Sequence, residues 1–321
     1  MPRVTRRALV VGIDDHASNP LHGCVNDATN VAALLREHAD GAPNFNVKVM
    51  TAPSQQVTRS ALREGLAALF GDASDCDVAL LYFAGHGTEN DLGGYLVTQD
   101  IQKYDEGIAL TEVLTLANQS QARERIIILD SCHAGHVGEV PASGSSVSTL
   151  QEGVSILTAA RSSQSAAEVN GGGVFTELLC GALQGGAADV LGQTTVAAVY
   201  AYIEQVLTSW EQRPMFRANV AKLISVRNNQ ATIQPEMLRT FPQLFSQVDS
   251  VFPLDPSYEP TEHPNHPDHE ALFEKLQKCR AAKLVEPVGE DHMYYAALHS
   301  TGCQLTPLGV HYWRLAKAKQ V

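Results

Sequence analysis

Apolar residues in this chain fall into short unbroken runs, separated by stretches where they recur every three or four positions. The runs are ALVVGI (8–13), NVKVMT (46–51), DVALLYF (77–83), RIIILD (125–130) and SILTAA (155–160). Continuous aliphatic runs of this length predict strands covered on both faces. Between them, VNDATNVAALLREHA (25–39), TRSALREGLAALFGD (58–72), TEVLTLANQ (111–119), VFTELLCGALQG (174–185) and TVAAVYAYIEQVLTSW (195–210) carry helical spacing. Thr58 stands where a helix N-cap belongs. The alternation predicts an α/β/α sandwich with a mainly parallel sheet. In such sheets the reactive residues collect at the carboxyl ends of strands.

Near residue 235 the texture changes. FPLDPSYEPTEHPNHPDH (252–269) contains five prolines and reads as a connector. The expected organisation is a large domain over 1–234, a connector over 235–269 and a small module over 270–321. In that module a helix (270–282), a hairpin turning near Gly289 and a last helix opened by Thr306 and Pro307 follow the order of a winged helix. Tyr312 and Trp313 are expected in its core. Winged helices often read DNA, and Lys275, Lys278, Arg280 and Lys283 form a basic group. Residues 236–321 nevertheless hold 11 acidic residues against 8 basic ones. Docking of a regulatory protein partner is therefore favoured over nucleic acid.

Composition narrows the classes further. The chain has 321 residues, 44% of them hydrophobic and 18% charged, an ordinary globular profile. A net charge of -12 argues against non-specific nucleic-acid binding and suits a basic substrate. No apolar run reaches the ~18–20 residues that span a bilayer. The start, MPRVTRRALVVGI, reads as a first strand and not a signal peptide, so the expected location is cytoplasmic, with no membrane partner. Six cysteines (Cys24, Cys76, Cys132, Cys180, Cys279 and Cys303) include no C-x-x-C pair, which removes support for a zinc ribbon or a thioredoxin-type site.

Two strand-like runs end abruptly at small residues and one reactive side chain. LLYFAGHG (80–87) ends at His86, and IIILDSCHAG (126–135) ends at Cys132. A cysteine attacks a carbonyl as thiolate and needs a base within reach, for which histidine is suited near neutral pH. Flanking glycines allow backbone to approach a substrate and leave N–H groups for an oxyanion, with Gly87 and Cys132 the candidate donors. A histidine and a cysteine at strand ends can also be coincidence; the flanking motifs decide the reading.

Those flanks resemble the caspase-fold cysteine peptidases, specifically the metacaspase/orthocaspase branch. YFAGHG resembles the family's histidine motif and DSCHAG its cysteine motif, with the histidine about 50 residues upstream of the cysteine, as in caspases. LHGCVNDA (21–28), LTAARSSQSAAE (157–168) and GVFTELLCGAL (173–183) resemble further family segments, so the likeness covers roughly residues 6–225. It implies Cys132 as nucleophile and His86 as base and later proton donor. It also implies that Asp27 and Asp130, with Cys24 beside them, line the S1 pocket. Two carboxylates there select a cationic side chain, which means cleavage after Arg, then Lys. The plainer alternatives are a helix cap for Asp27 and a strand-end turn for Asp130. Metacaspases often carry Ser two positions before the catalytic histidine; this chain has Ala84, one polar contact fewer.

Nothing in the sequence requires a cofactor. Many metacaspases use calcium, and Asp100, Asp105 and Glu106 in TQDIQKYDEG offer hard oxygen donors for Ca²⁺, although three acids in a loop are more often a solvated turn. HPNHPDH (263–269) is read as solvated connector and not as a metal site. The segment 133–153 contains no Lys or Arg, so a basic-specific enzyme could not cut itself there; Lys103 and Arg161 are the nearest basic residues. The resemblance implies protein substrates and a bacterial stress, cell-death or antiviral-defence setting. Competing readings are an inactive caspase-fold scaffold, a winged-helix transcriptional regulator, and a related enzyme with Asp specificity.

Overall fold

The computed structural model describes residues 5–16, 19–52, 56–71, 75–102, 105–131, 150–159, 168–169, 172–207, 213–261 and 266–321. They form two compact units: Met1–Ala188 with Gln193–Asn229, and Asp189–Gly192 with Gln230–Val321.

The first unit opens with β1 (Arg6–Ile13), α1 (Cys24–Arg36), β2 (Asn46–Ala52), α2 (Arg59–Phe70) and β3 (Val78–Ala84). Three short strands follow, β4 (Gly87–Asn90), β5 (Gly93–Leu96) and β6 (Ile108–Ala109), then α3 (Leu110–Gln119), β7 (Glu124–Asp130) and β8 (Val154–Thr158). A small ladder of β9 (Glu168–Val169) and β10 (Gly172–Gly173) leads into α4 (Val174–Gly181). The unit closes with β11 (Gln193–Thr195), α5 (Val196–Leu207), β12 (Met215–Asn219) and β13 (Ser225–Asn228).

Six strands form the main sheet in the order β12-β8-β7-β3-β1-β2. All neighbours run parallel except β12, which pairs antiparallel with β8 at one edge. The strands are buried on both faces because alternate residues feed two cores. Leu9, Val11, Leu81, Phe83, Ile127 and Leu129 pack with α2 and α3. Ala8, Val10, Leu80, Tyr82, Ile126 and Ile128 pack with α1, α4 and α5. The predicted mainly parallel sandwich is therefore the observed one. The β4–β5–β6 meander was not foreseen: its residues are glycine-rich and polar, so no apolar alternation marks it.

Thr58 caps α2, accepting a hydrogen bond from the Ala61 N–H, as its sequence position suggests. The cap of α1 comes from farther away. The Asp14 carboxylate, just past β1, accepts from the Cys24 N–H at 2.7 Å and, more weakly, from the Val25 N–H. Gly12 lets α1 lie close on β1: a Cβ there would stand 2.3 Å from the Cys24 carbonyl oxygen and 2.7 Å from the Ala28 Cβ. This close approach sets where the first turns of α1 sit.

In the second unit, α6 (Pro235–Arg239), α7 (Phe241–Leu244) and β14 (Val251–Phe252) come first. Then follow α8 (Pro267–Ala281), β15 (Val285–Pro287), α9 (Met293–Leu298), β16 (Cys303–Leu305) and α10 (Pro307–Lys317). The strands form one antiparallel sheet, β14-β16-β15. Two sequence expectations are corrected here. Residues 235–258, read as connector from their prolines, are folded: Leu238, Phe241, Phe245 and Tyr258 are buried in the unit's core, and β14 pairs with β16. Pro235 and Pro242 sit in the first turns of α6 and α7, where the missing N–H costs nothing. The hairpin expected at Gly289 is also absent as such. β15 and β16 pair, but the chain between them carries α9. Thr306 does cap α10, and Tyr312 and Trp313 are buried, with the Trp313 indole N–H donating to the Phe245 carbonyl at 2.7 Å.

Candidate active site

β3 and β7 are adjacent parallel strands, and their register pairs Ala84 with Asp130. The Gly85 N–H donates to the Asp130 carbonyl at 3.3 Å, so the two chains leave the sheet side by side. One continues to His86; the other continues to Ser131, which is buried, and next in sequence to Cys132. Cys132 lies outside the described residues, as do Lys103, Arg161, His263 and most of 133–153.

His86 is half-buried and held from several directions. Its carbonyl accepts from the Val97 N–H at 3.0 Å. That bond makes Gly87 and Leu96 a non-hydrogen-bonded pair, so the β4–β5 ladder leaves the Gly87 N–H directed away from β5. The His86 Nε2 lies 2.6 Å from the Asn19 carbonyl oxygen. A carbonyl only accepts, so Nε2 carries a proton, and in the neutral ring Nδ1 keeps its lone pair. An imidazole in that tautomer is ready to take a proton through Nδ1.

The loop that supplies Asn19 also supplies His16. Its ring centroid lies 4.7 Å from that of His86, tilted by 59°. His16 is buried, and among the described residues neither ring nitrogen meets a partner in good hydrogen-bonding geometry. Burial, reinforced by the neighbouring His86, pushes the His16 pKa down to about 4 against weaker opposing pulls from Asp15 and the Ile13 carbonyl, so the ring is neutral at ordinary pH.

The two predicted pocket acids converge. Asp27 sits in the first turn of α1 and Asp130 ends β7; each is more than nine-tenths buried. Between them stands Gly173, the residue before α4. Its N–H donates to Asp27 Oδ2 at 2.9 Å. A Cβ on Gly173 would lie 2.5 Å from Asp130 Oδ2 and 3.4 Å from Asp27 Oδ2. A side chain at 173 would make the Asp130 carboxylate shift. Thr176 Oγ1 donates to Asp130 Oδ2 at 2.6 Å. Cys24, the first residue of α1, is buried one helical turn from Asp27.

Asp27, Gly173 and Thr176 line one part of a cleft of about 730 Å³ between α1, α4 and α5, which Asn30, Glu177 and Tyr202 also line. Its walls are polar and acidic, suited to a cationic group. Cys180 on the same cleft stays a thiol: burial, with the Asp27 charge adding, pushes it up to about 12.

The candidate calcium ligands each have a protein partner. Asp100 accepts from the Arg59 N–H at 2.8 Å and from Thr98 Oγ1 at 2.7 Å. Burial opposes its charge, but those hydrogen bonds hold its carboxyl below the usual range. Asp105 pairs with the Arg59 guanidinium, and Glu106 accepts from Asn90 Nδ2. Among the described residues no group of three His, Cys, Asp or Glu side chains could hold a metal ion. His266 and His269 stack on each other, and His269 stacks on Tyr258, at the start of α8.

Gly173, Thr176, Asn19 and His16 were not singled out from sequence. The only local signal was GGGVFTE, whose glycines mark close backbone approach.

Residues 5–225 match the caspase domain family. The chain belongs to that family. Metacaspase-1A of Aspergillus oryzae is 29% identical over 167 residues, which is 46% of this chain and 39% of that protein. Metacaspase-4 of Arabidopsis thaliana is 29% identical over 145 residues, 41% of this chain and 34% of that protein. The matched stretch is thus well under half the length of these relatives. Among solved structures, caspase-1 from Spodoptera frugiperda superposes with a TM-score of 0.52 at 15% identity, over 71% of this chain and 91% of that one. A protein from Geobacter sulfurreducens does so at 0.53 and 17%, over 68% and 94%. At these identities the likeness is one of fold, and it is the caspase fold. No helix among the described residues is long and apolar enough to cross a membrane.

Proposed function

We propose that this caspase-domain chain is a cysteine endopeptidase that cleaves proteins after arginine in preference to lysine, with Cys132 as nucleophile and His86 as base. The observation that carries the specificity is the convergence of two buried carboxylates, Asp27 and Asp130, on Gly173 beside a polar cleft. A guanidinium offers a fork of N–H donors that can meet both acids; the lysine ammonium presents a single point charge and gains less.

For the chemistry, the tautomer of His86 supports the assignment. With Nε2–H committed to the Asn19 carbonyl, Nδ1 takes the thiol proton as sulfur attacks the scissile carbonyl carbon. In this reading the amides of Gly87 and Cys132 donate to the oxyanion of the tetrahedral intermediate. His86 then protonates the departing amine. The thioester is hydrolysed by water, which His86 deprotonates in turn. The second unit is read as a docking or regulatory module for a protein partner. The family suggests a cytoplasmic stress, cell-death or defence setting.

Fluorogenic peptides with Arg, Lys or Asp at P1, offered to wild type and Cys132→Ala with and without calcium, test the proposal. The expected result is turnover of the Arg peptide, slower turnover of the Lys peptide, and none by the variant. Preference for the Asp peptide would overturn the specificity; no turnover of any peptide would favour a scaffold.

A further inference from the structure

A carboxylate as deep as Asp130 keeps its charge only when donors meet its lone pairs. Its register partner on β3, Ala84, has no polar side chain. One donor comes from α4, through Thr176 Oγ1 at 2.6 Å. The same Thr176 oxygen lies 2.6 Å from the Tyr82 hydroxyl. Because the Thr176 proton is given to a carboxylate, its oxygen can only accept from Tyr82. The direction is therefore fixed: Tyr82 O–H to Thr176 O–H to Asp130. Tyr82 is fully buried in the middle of β3. Burial, with the Asp130 charge adding, lifts its phenol well above the usual range, so it remains a donor at every working pH. Each bond in such a chain polarises the next. Gly173 closes on the same Asp130 oxygen from another side.

We propose that Thr176 and Tyr82 are positioning residues for P1 recognition: a buried two-hydroxyl chain that holds the Asp130 carboxylate ionised and aimed at the cationic side chain of the substrate. Neither residue needs to touch the substrate; both act through Asp130. The inference rests on Asp130 being an S1 acid.

The test is steady-state kinetics on P1-Arg and P1-Lys peptides across pH, for Thr176→Val, Thr176→Ser and Tyr82→Phe, with Asp130→Asn as reference. Removing the Thr176 hydroxyl should raise KM for the Arg peptide about tenfold while kcat changes less than about threefold. The acid limb of kcat/KM should move to higher pH, because a carboxylate that loses a donor is protonated more easily. Thr176→Ser should restore KM to within about twofold, and Tyr82→Phe should raise it about threefold. Tyr82→Phe keeps the packing, so it serves if Thr176→Val does not fold. If Asp130→Asn weakens Arg cleavage but the folded hydroxyl variants leave KM, P1 preference and acid limb unchanged, this inference alone falls. If Asp130→Asn leaves Arg cleavage intact, the pocket assignment falls and takes the inference with it.

Discussion

The imidazoles of His16 and His86 lie 4.7 Å apart, one buried with no well-formed hydrogen bond among the described residues and the other held through Nε2 by the Asn19 carbonyl. A buried neutral histidine ties stability to pH. In the unfolded chain His16 takes up a proton near its ordinary value of 6.5, whereas in the folded state it resists until about 4. Between those values the unfolded state binds more protons, so stability falls as pH falls. His16→Phe keeps a ring in the site and removes the titration. Its stability relative to wild type should rise by about 2 kcal/mol between pH 7 and pH 4.5, after allowance for nearby solvent. Urea unfolding of both proteins at several pH values measures this. A pH-independent difference would show that His16 titrates alike in both states.

Gly173→Ala addresses the acid pair directly. The backbone there has φ -73 and ψ 128, which alanine adopts freely, so any effect comes from contact. The new methyl would press on Asp130 Oδ2 and reach Asp27 Oδ2. Cleavage of a P1-Arg peptide should fall by tenfold or more, about 1.4 kcal/mol or above in kcat/KM, mostly through KM. Isothermal titration with a non-cleavable Arg peptide would show the same loss in affinity. Unchanged affinity would mean that the two carboxylates do not jointly receive the side chain.

Arg125 offers a test of the scaffold beneath the site. Its guanidinium is buried and donates to the carbonyls of Ala117, Ala122, Arg123 and Glu152. Arg125→Met fills similar space but leaves those carbonyls without their donor. We expect a loss of about 3 kcal/mol in unfolding free energy, and Arg125→Lys to recover less than half of it, because an ammonium cannot reach in several directions at once. Chemical denaturation followed by circular dichroism reads both.

Much of this was legible in the chain. β1, β3, β7 and β8 announce themselves because continuous aliphatic runs have few other uses in a globular domain. His86 and Asp130 stand at the ends of such strands and Asp27 in the first turn of α1, and motif likeness named all three. What stayed hidden depended on tertiary contact. β12 joins β8 from far along the chain, and its residues are mostly half-buried or exposed, with no periodic signature. α9 is a six-residue helix inside what looked like a hairpin, and α6 and α7 lie among prolines that suggested a connector. Thr176 looked like any helical threonine. Its role comes from meeting Tyr82 and Asp130, which lie 94 and 46 residues away.

The pairing of β7 with β8 carries a last consequence. Ile126 through Leu129 are zipped to Ser155 through Thr158, and Arg125 clasps the Glu152 carbonyl just ahead of β8. Both sides of the 132–149 stretch are thus fastened to one another independently of the peptide that joins them. A protease cutting anywhere in that stretch would yield two fragments on a denaturing gel, yet a single particle in native solution, with the sheet beneath the acid pair undisturbed.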